Sequence, residues 1–93
     1  MPPEFEWDAE KAEANFRDHG VTFEEAATAF DDPYSVTIRD LAHSDDEERF
    51  ILLGTSYRGR LLMAVHTDRG ESIRLISARR ADQYYVRIYE EGF

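Results

Sequence analysis

The sequence contains no cysteine. Disulfides, thiolate zinc sites and a cysteine nucleophile are therefore excluded. Lysine is almost missing as well: of eleven basic residues, only Lys11 is not arginine. Long apolar runs are absent. The longest, Leu61 to Val65, has five residues, against the roughly 20 that a membrane-spanning helix needs. The first eight residues hold three acids and no base, so no signal peptide reads there. There is no Gly-rich phosphate loop, nucleophile elbow or His-Glu-x-x-His pattern. The histidines His19, His43 and His66 lack metal-ligand spacing, so neither a metal nor another cofactor is expected. What is present is a 93-residue chain, 42% hydrophobic and 13% aromatic. That is too apolar for a disordered tail and enough for one core. The expectation is a single domain over residues 1–93, soluble and cytoplasmic, with no membrane contact.

The net charge of −9 argues against a general polyanion binder, but the charge is unevenly spread. Residues 1–48 carry fifteen acids and three bases, a balance of −12, and residues 49–93 carry five acids and eight arginines, a balance of +3. Arginine presents a planar fork of donors suited to phosphate and carboxylate. An anionic ligand on the second half is one reading. A genome that favours arginine, with acids supplying solubility, is the other.

Local patterns order the chain as β-α-α-β-β-β-β-α, an α+β domain. Glu4 to Trp7 reads as a short strand, Trp7 being a core anchor. Asp8 caps a helix with Ala9, Ala12 and Phe16 on one stripe, ended by Gly20. Thr22 and Glu25 have the spacing of a capping box, ahead of an apolar stripe of Phe23, Ala26, Ala27 and Phe30. Asp31-Asp32-Pro33 stops that second helix. Tyr34 to Ile38 reads as a strand, and residues 40–48 as an acidic loop of the kind that is usually solvated. A meander follows, with strands at Phe50 to Thr55, Leu61 to Thr67 and Ser72 to Ser77. Three-residue loops would pair Ser56 with Arg60 and Thr67 with Glu71. Ile51, Leu53, Leu61, Met63, Val65, Ile73 and Leu75 are all odd-numbered. They should share one face, which the two first helices would cover. The last helix is expected to start near Ser77, with Ala81, Tyr84, Tyr85 and Ile88 as its apolar stripe.

This register gathers Arg60, His66 and Arg74 on the even face, with Arg79 and Arg80 in the first turn of the last helix. A helix start is an anion site in its own right. Histidine can move a proton at neutral pH, and arginines can hold a phosphate and stabilise the extra charge of its transition state. Together these are the parts of a metal-free phosphodiester cleavage. Arg60, His66, Arg74 and Arg79 are the candidate catalytic residues. Arg80 and Tyr84 are the candidate substrate-binding ones, Tyr84 as a base-stacking platform. Each also has a plainer reading: His66 as a half-buried strand residue, Arg74 paired with an acid, Arg79 paired with Asp82, Tyr84 as a surface aromatic.

Several segments, taken in order and spacing, resemble the BrnT toxins of type II toxin–antitoxin systems. They are Phe5-Glu6-Trp7-Asp8, Lys11, Asn15, His19-Gly20-Val21, Phe23-Glu24-Glu25-Ala26, Phe30 with Asp32-Pro33, Arg49, Gly54, Gly59-Arg60, and Arg74 through Ala81. The resemblance spans nearly the whole chain. It implies a RelE-like fold with an antiparallel sheet, two N-terminal helices and one C-terminal helix. It further implies endoribonuclease activity on RNA, growth inhibition, and neutralisation by a BrnA antitoxin. Complexes of that kind hold two toxins and two antitoxins, and the antitoxin, a ribbon-helix-helix protein, binds operator DNA. Carried over residue by residue, the functional positions are Arg60, Arg74 and Arg79. Two positions depart from the pattern: Asp18 stands where the family often has Lys, and Tyr85 where it tends to have Glu in the last helix. Two other functions remain beside the nuclease: a catalytically impaired homologue acting as an antitoxin-binding co-repressor, and an interaction domain unrelated to RNA.

Overall fold

The computed structural model describes residues 3–43 and 47–92; Ser44 to Asp46 of the acidic loop lie outside the described residues. Strand β1 (Glu4–Glu6) leads into helix α1 (Ala9–His19) and helix α2 (Phe23–Thr28), which tightens into a 3-10 turn at Ala29–Asp31. Strands β2 (Val36–Arg39), β3 (Phe50–Thr55), β4 (Leu61–Arg69) and β5 (Ser72–Arg80) follow, then helix α3 (Gln83–Glu91). The element order is the one the sequence predicts. The five strands form one sheet in the order β1-β5-β4-β3-β2. Every neighbouring pair is antiparallel except β1 and β5, which run parallel. Among the described residues no helix is long and apolar enough to cross a membrane.

The helix signals are realised atom by atom. Asp8 Oδ1 accepts from Lys11 N at 3.0 Å and Thr22 Oγ1 from Glu25 N at 3.0 Å. Gly20 closes α1 with φ of 69°, where a side chain would be strained. The buried side of α1 is not the expected stripe. Phe16 is 55% exposed, and Asn15 is the residue that is buried. Its Nδ2 donates to Val21 O (2.9 Å) and Ala78 O (2.8 Å), and its Oδ1 accepts from Ala78 N (2.9 Å). One amide thus fastens α1, the α1–α2 turn and β5 together, with its buried polar atoms satisfied.

The sheet is packed on both faces, which corrects the expectation of one core on the odd face. The even-numbered Leu52, Leu62 and Ala64 join Val21, Phe23, Ala26 and Ala29 under α1 and α2. The odd-numbered Ile51, Leu53 and Met63 join Val36, and Tyr85, Ile88 and Tyr89 of α3 pack over them. Parity holds through β3 and β4. In β5 it breaks: Val65 pairs with Ser77 but His66 with Leu75, so Ile76 is an extra residue, a β-bulge. Ile73 and Leu75 therefore lie with the α1/α2 core, opposite Leu53 and Met63.

The second hairpin is also tighter than expected. Arg69 pairs with Ser72 across Gly70-Glu71, rather than Thr67 with Glu71. The first hairpin closes as predicted, Ser56 N donating to Arg60 O at 2.8 Å. Helix α3 starts six residues later than expected, after its N-cap Asp82, whose Oδ1 accepts from Tyr85 N. Arg79 and Arg80 are strand residues, because β4 pairs with β5 as far as Leu62 and Arg80.

Gly54 marks the closest approach of β3 to the 3-10 turn. A Cβ placed there would lie 2.4 Å from Ala29 O, a backbone atom. Gly54→Ala is expected to cost about 1–3 kcal/mol through this overlap. In a domain this size, calorimetry would read that as roughly 4–8 °C of melting temperature per kcal/mol. A variant melting like the parent would show that the turn moves freely.

Candidate active site

The structure separates the predicted constellation. His66 is on the α1/α2 face, 5% exposed, with the Phe30 ring at 5.0 Å and the Phe50 ring at 5.8 Å. Burial pushes its pKa below the usual histidine value, and its Nδ1 lies 3.3 Å from Ala64 O. It is a neutral aromatic core residue, closed off from the opposite face of the sheet. Arg60 points to the same side and is committed to Glu25: its Nε donates to Glu25 Oε2 at 2.9 Å, and its Nη2 donates to Glu25 Oε1 and to Gly20 O. Arg80, paired with Leu62, alternates onto that face too and is exposed. The helix-start anion site is not formed by Arg79 and Arg80, since both precede the cap.

Arg79 and Arg74 lie on the other face, beside α3. Arg79 pairs with Met63, and its Nε lies 3.1 Å from Met63 Sδ; its Nη2 is 4.0 Å from Asp82 Oδ2. Arg74 bonds Glu6 at 2.9 Å from across the parallel β1–β5 pair. Five residues of strand put the two arginines on the order of 15 Å apart. An extended anionic chain crossing this face could touch both.

Arg79, but not Arg74, lines a cavity of about 310 Å³ on this face, together with Asp40, Arg49, Ile51, Met63, Val65, Ile76, Ser77 and Tyr85. Three parts of the sequence build it. The β2–β3 connection brings Asp40 beside Arg49, with Asp40 N donating to Arg49 O at 2.8 Å. The bulge turns both Ile76 and Ser77 toward the cavity, a common use of bulges near functional sites. Helix α3 supplies Tyr85. Burial, with Asp82, Tyr84 and Asp40 nearby, raises the pKa of Tyr85 above the usual tyrosine value, while Arg79 draws it back. Its hydroxyl is therefore protonated at neutral pH and available as a donor. Tyr84 stands edge-on to Tyr85 with centroids 5.0 Å apart and is 67% exposed.

Sequence reasoning missed Asp40 and the catalytic potential of Arg49 and Tyr85. Arg49 enters the sequence reading only as a match to the family pattern, and Tyr85 as part of the last helix's apolar stripe and as a departure from that pattern. No local motif joins the three; only the β2–β3 pairing and the docking of α3 do. Among the described residues no group of three or more His, Asp or Glu is placed to hold a metal ion.

Fold and cleft define a class: a small α+β domain with two arginines, a carboxylate and a protonated tyrosine around an opening sized for an anionic group. The model of the family described as ribonuclease toxin, BrnT, of type II toxin–antitoxin systems matches residues 7–84. The chain belongs to that family. The crystal structure of the Brucella abortus ribonuclease toxin BrnT is similar in fold, with a TM-score of 0.67 at 19% identity. The match covers 87% of this chain and 99% of that one. No curated protein matches. As a type II toxin family member, the protein has an antitoxin for a partner.

Proposed function

We propose that this protein is a metal-independent endoribonuclease toxin of the cytoplasm that cleaves RNA in the α3-side cavity and arrests growth. The observation that carries the reading is the joint placement of Arg49, Arg79, Tyr85 and Asp40 around one opening. Arg79 and Arg49 hold the scissile phosphate and offset the charge that builds on it as the phosphorane forms. Asp40 takes the proton of the attacking 2′-hydroxyl. The 2′-oxygen bonds to phosphorus, the bond to the 5′-oxygen breaks, and Tyr85 gives that oxygen its proton. The products are a 2′,3′-cyclic phosphate and a 5′-hydroxyl. Arg74 binds a neighbouring phosphate on the same face, and the exposed ring of Tyr84 stacks a base.

A BrnA antitoxin neutralises the toxin in a complex of two copies of each and carries the pair to operator DNA. The acidic first half is suited to a basic partner surface.

The deciding experiment is induced expression without antitoxin, read by growth and by the integrity of total RNA, together with purified toxin on RNA in EDTA. Growth arrest with RNA fragments bearing cyclic phosphate ends, undiminished by EDTA, supports the reading. Intact RNA from a folded, antitoxin-binding protein overturns it. Such a result leaves the antitoxin-binding co-repressor, a role that Tyr85 in place of the family's usual Glu would suit.

A further inference from the structure

Helix α3 is held to the sheet in an unusual way for the element that brings Tyr85 to the cavity. None of its residues is fully buried. Tyr85, Ile88 and Tyr89 are only partly covered where they pack on the Val36, Ile51, Leu53 and Met63 cluster. Its first turn is tied down by the Asp82 cap and, one residue earlier, by Ala81 N donating to Leu61 O at 2.9 Å. Its other end depends on the Tyr89 hydroxyl, which lies 3.4 Å from Thr55 Oγ1 and makes a much shorter bond to Asp32. Tyr89 Oη donates to Asp32 Oδ2 at 2.6 Å.

Asp32 is built to receive that bond. Thr55 N donates to the same oxygen at 2.8 Å, and Tyr34 N donates to Oδ1 at 2.9 Å. Burial raises the pKa of this carboxyl, but the bonds from Tyr89, Thr55 and Tyr34 outweigh it and leave the group below the usual aspartate value. It is an ionised acceptor at neutral pH, and hydroxyl-to-carboxylate bonds of this length are among the strong ones. Asp32 thereby joins the end of the α2 segment, the end of β3 and the last turns of α3. In the sequence it reads as part of a helix stop and of a segment that matches the family pattern, with no sign of this role. Tyr89 and Tyr85 are four residues apart, on one side of the helix.

We propose that Asp32 and Tyr89 are positioning residues: their hydrogen bond latches the far end of α3 to the sheet and so keeps the Tyr85 hydroxyl in the cavity. The proposal rests on the reading of Tyr85 as the proton donor. Without the latch, the helix can swing about its anchored start at Ala81 and Asp82, carrying Tyr85 away from Arg79 and Asp40. A displacement of about 1 Å at a reacting group can cost as much as 10²-fold in rate.

The test uses the full chain as Tyr89→Phe and Asp32→Asn, with Tyr85→Phe and Tyr85→Phe/Tyr89→Phe for comparison. Each single latch variant is expected to lower kcat for RNA cleavage by roughly 10-fold or more with KM changed less than about threefold. The double variant should lose no more than Tyr85→Phe alone, because the latch acts through Tyr85. Two readouts do not depend on activity. With ¹³Cζ-labelled tyrosine, the titration of Tyr85 should move in Tyr89→Phe toward the ordinary value of about 10, as it loses burial, the largest cause of its raised pKa, along with the smaller and opposed influences of Asp40 and Arg79. Amide exchange should accelerate in α3 and not in β3, β4 and β5. An unmoved Tyr85 titration with wild-type kcat, additive losses in the double variant, or exchange accelerated equally throughout the sheet would each overturn the latch. If the wild type itself cleaves no RNA, the nuclease reading fails, and the titration and exchange arms alone decide whether the bond holds Tyr85 in place.

Discussion

Arg79→Ala is expected to lower RNA cleavage by about 10²–10³-fold, the scale on which losing one electrostatic donor to a transition state is felt. The side chain lines the cavity and is 49% exposed, and its contact with Asp82 is at the 4.0 Å limit of an ion pair. Such a pair contributes little to stability, so the melting temperature should stay within a degree or two of the parent. Arg79→Lys should recover only part of the rate, because an ammonium keeps the charge and loses the fork. Single-turnover cleavage of a defined RNA, beside a melting curve, separates the two effects. Arg60→Ala makes the contrast. It should lose stability first, and at a temperature where it is folded it should cleave nearly as well as the parent. The opposite ranking would return the catalytic site to the α1/α2 face.

Local chemistry made the helices and the meander legible. The Asp8, Gly20 and Thr22 caps concern residues at most four apart, and the strand parities concern alternation within one segment. Pairing between segments was not legible. Ser77 to Ala81 contains nothing that resists a helix, and the stripe of Ala81, Tyr84, Tyr85 and Ile88 invited an early start. Strand β5 continues through Arg80 because β4 offers partners that far and because the buried amide of Asn15 takes up both backbone groups of Ala78. The true cap, Asp82, reads equally well from the sequence as a partner for Arg79 three residues back. The bulge at Ile76 carries no glycine to announce it, and it moves Arg74 from the face of His66 to the face of Arg79. That one extra residue and the late helix account for most of the difference between the predicted site and the observed cavity.

Glu25 shows the same limit at a single residue. Its backbone N–H bonds Thr22 as a capping box requires, but its carboxylate leaves the helix. That carboxylate is 3% exposed and accepts from the Arg60 guanidinium and from Ser56 Oγ at 2.8 Å, with Arg58 Nη1 at 3.7 Å. It clamps the Ser56–Arg60 turn against α2. Removing one partner of a buried pair leaves the other charge uncompensated, and the usual cost is about 3–5 kcal/mol. Glu25→Ala is therefore expected to lose that much from a total of about 5–15 kcal/mol. Glu25→Gln should lose less, because an amide oxygen still accepts from Ser56. The double variant Glu25→Ala/Arg60→Ala should lose less than the two single losses together, since neither leaves the other stranded. The bond from Arg60 pulls the Glu25 carboxyl below the usual glutamate range, against the opposing effect of burial, and Ser56 and Arg58 add to the pull. A carboxyl depressed in the folded state contributes stability that is fully present above its unfolded pKa, about 4.3, and is lost as the pH falls through the lower folded value. Urea midpoints measured from pH 7 down to pH 3 should thus converge between wild type and Glu25→Gln at the acid end. Parallel curves across that range would mean that Glu25 holds the turn by shape and not by charge.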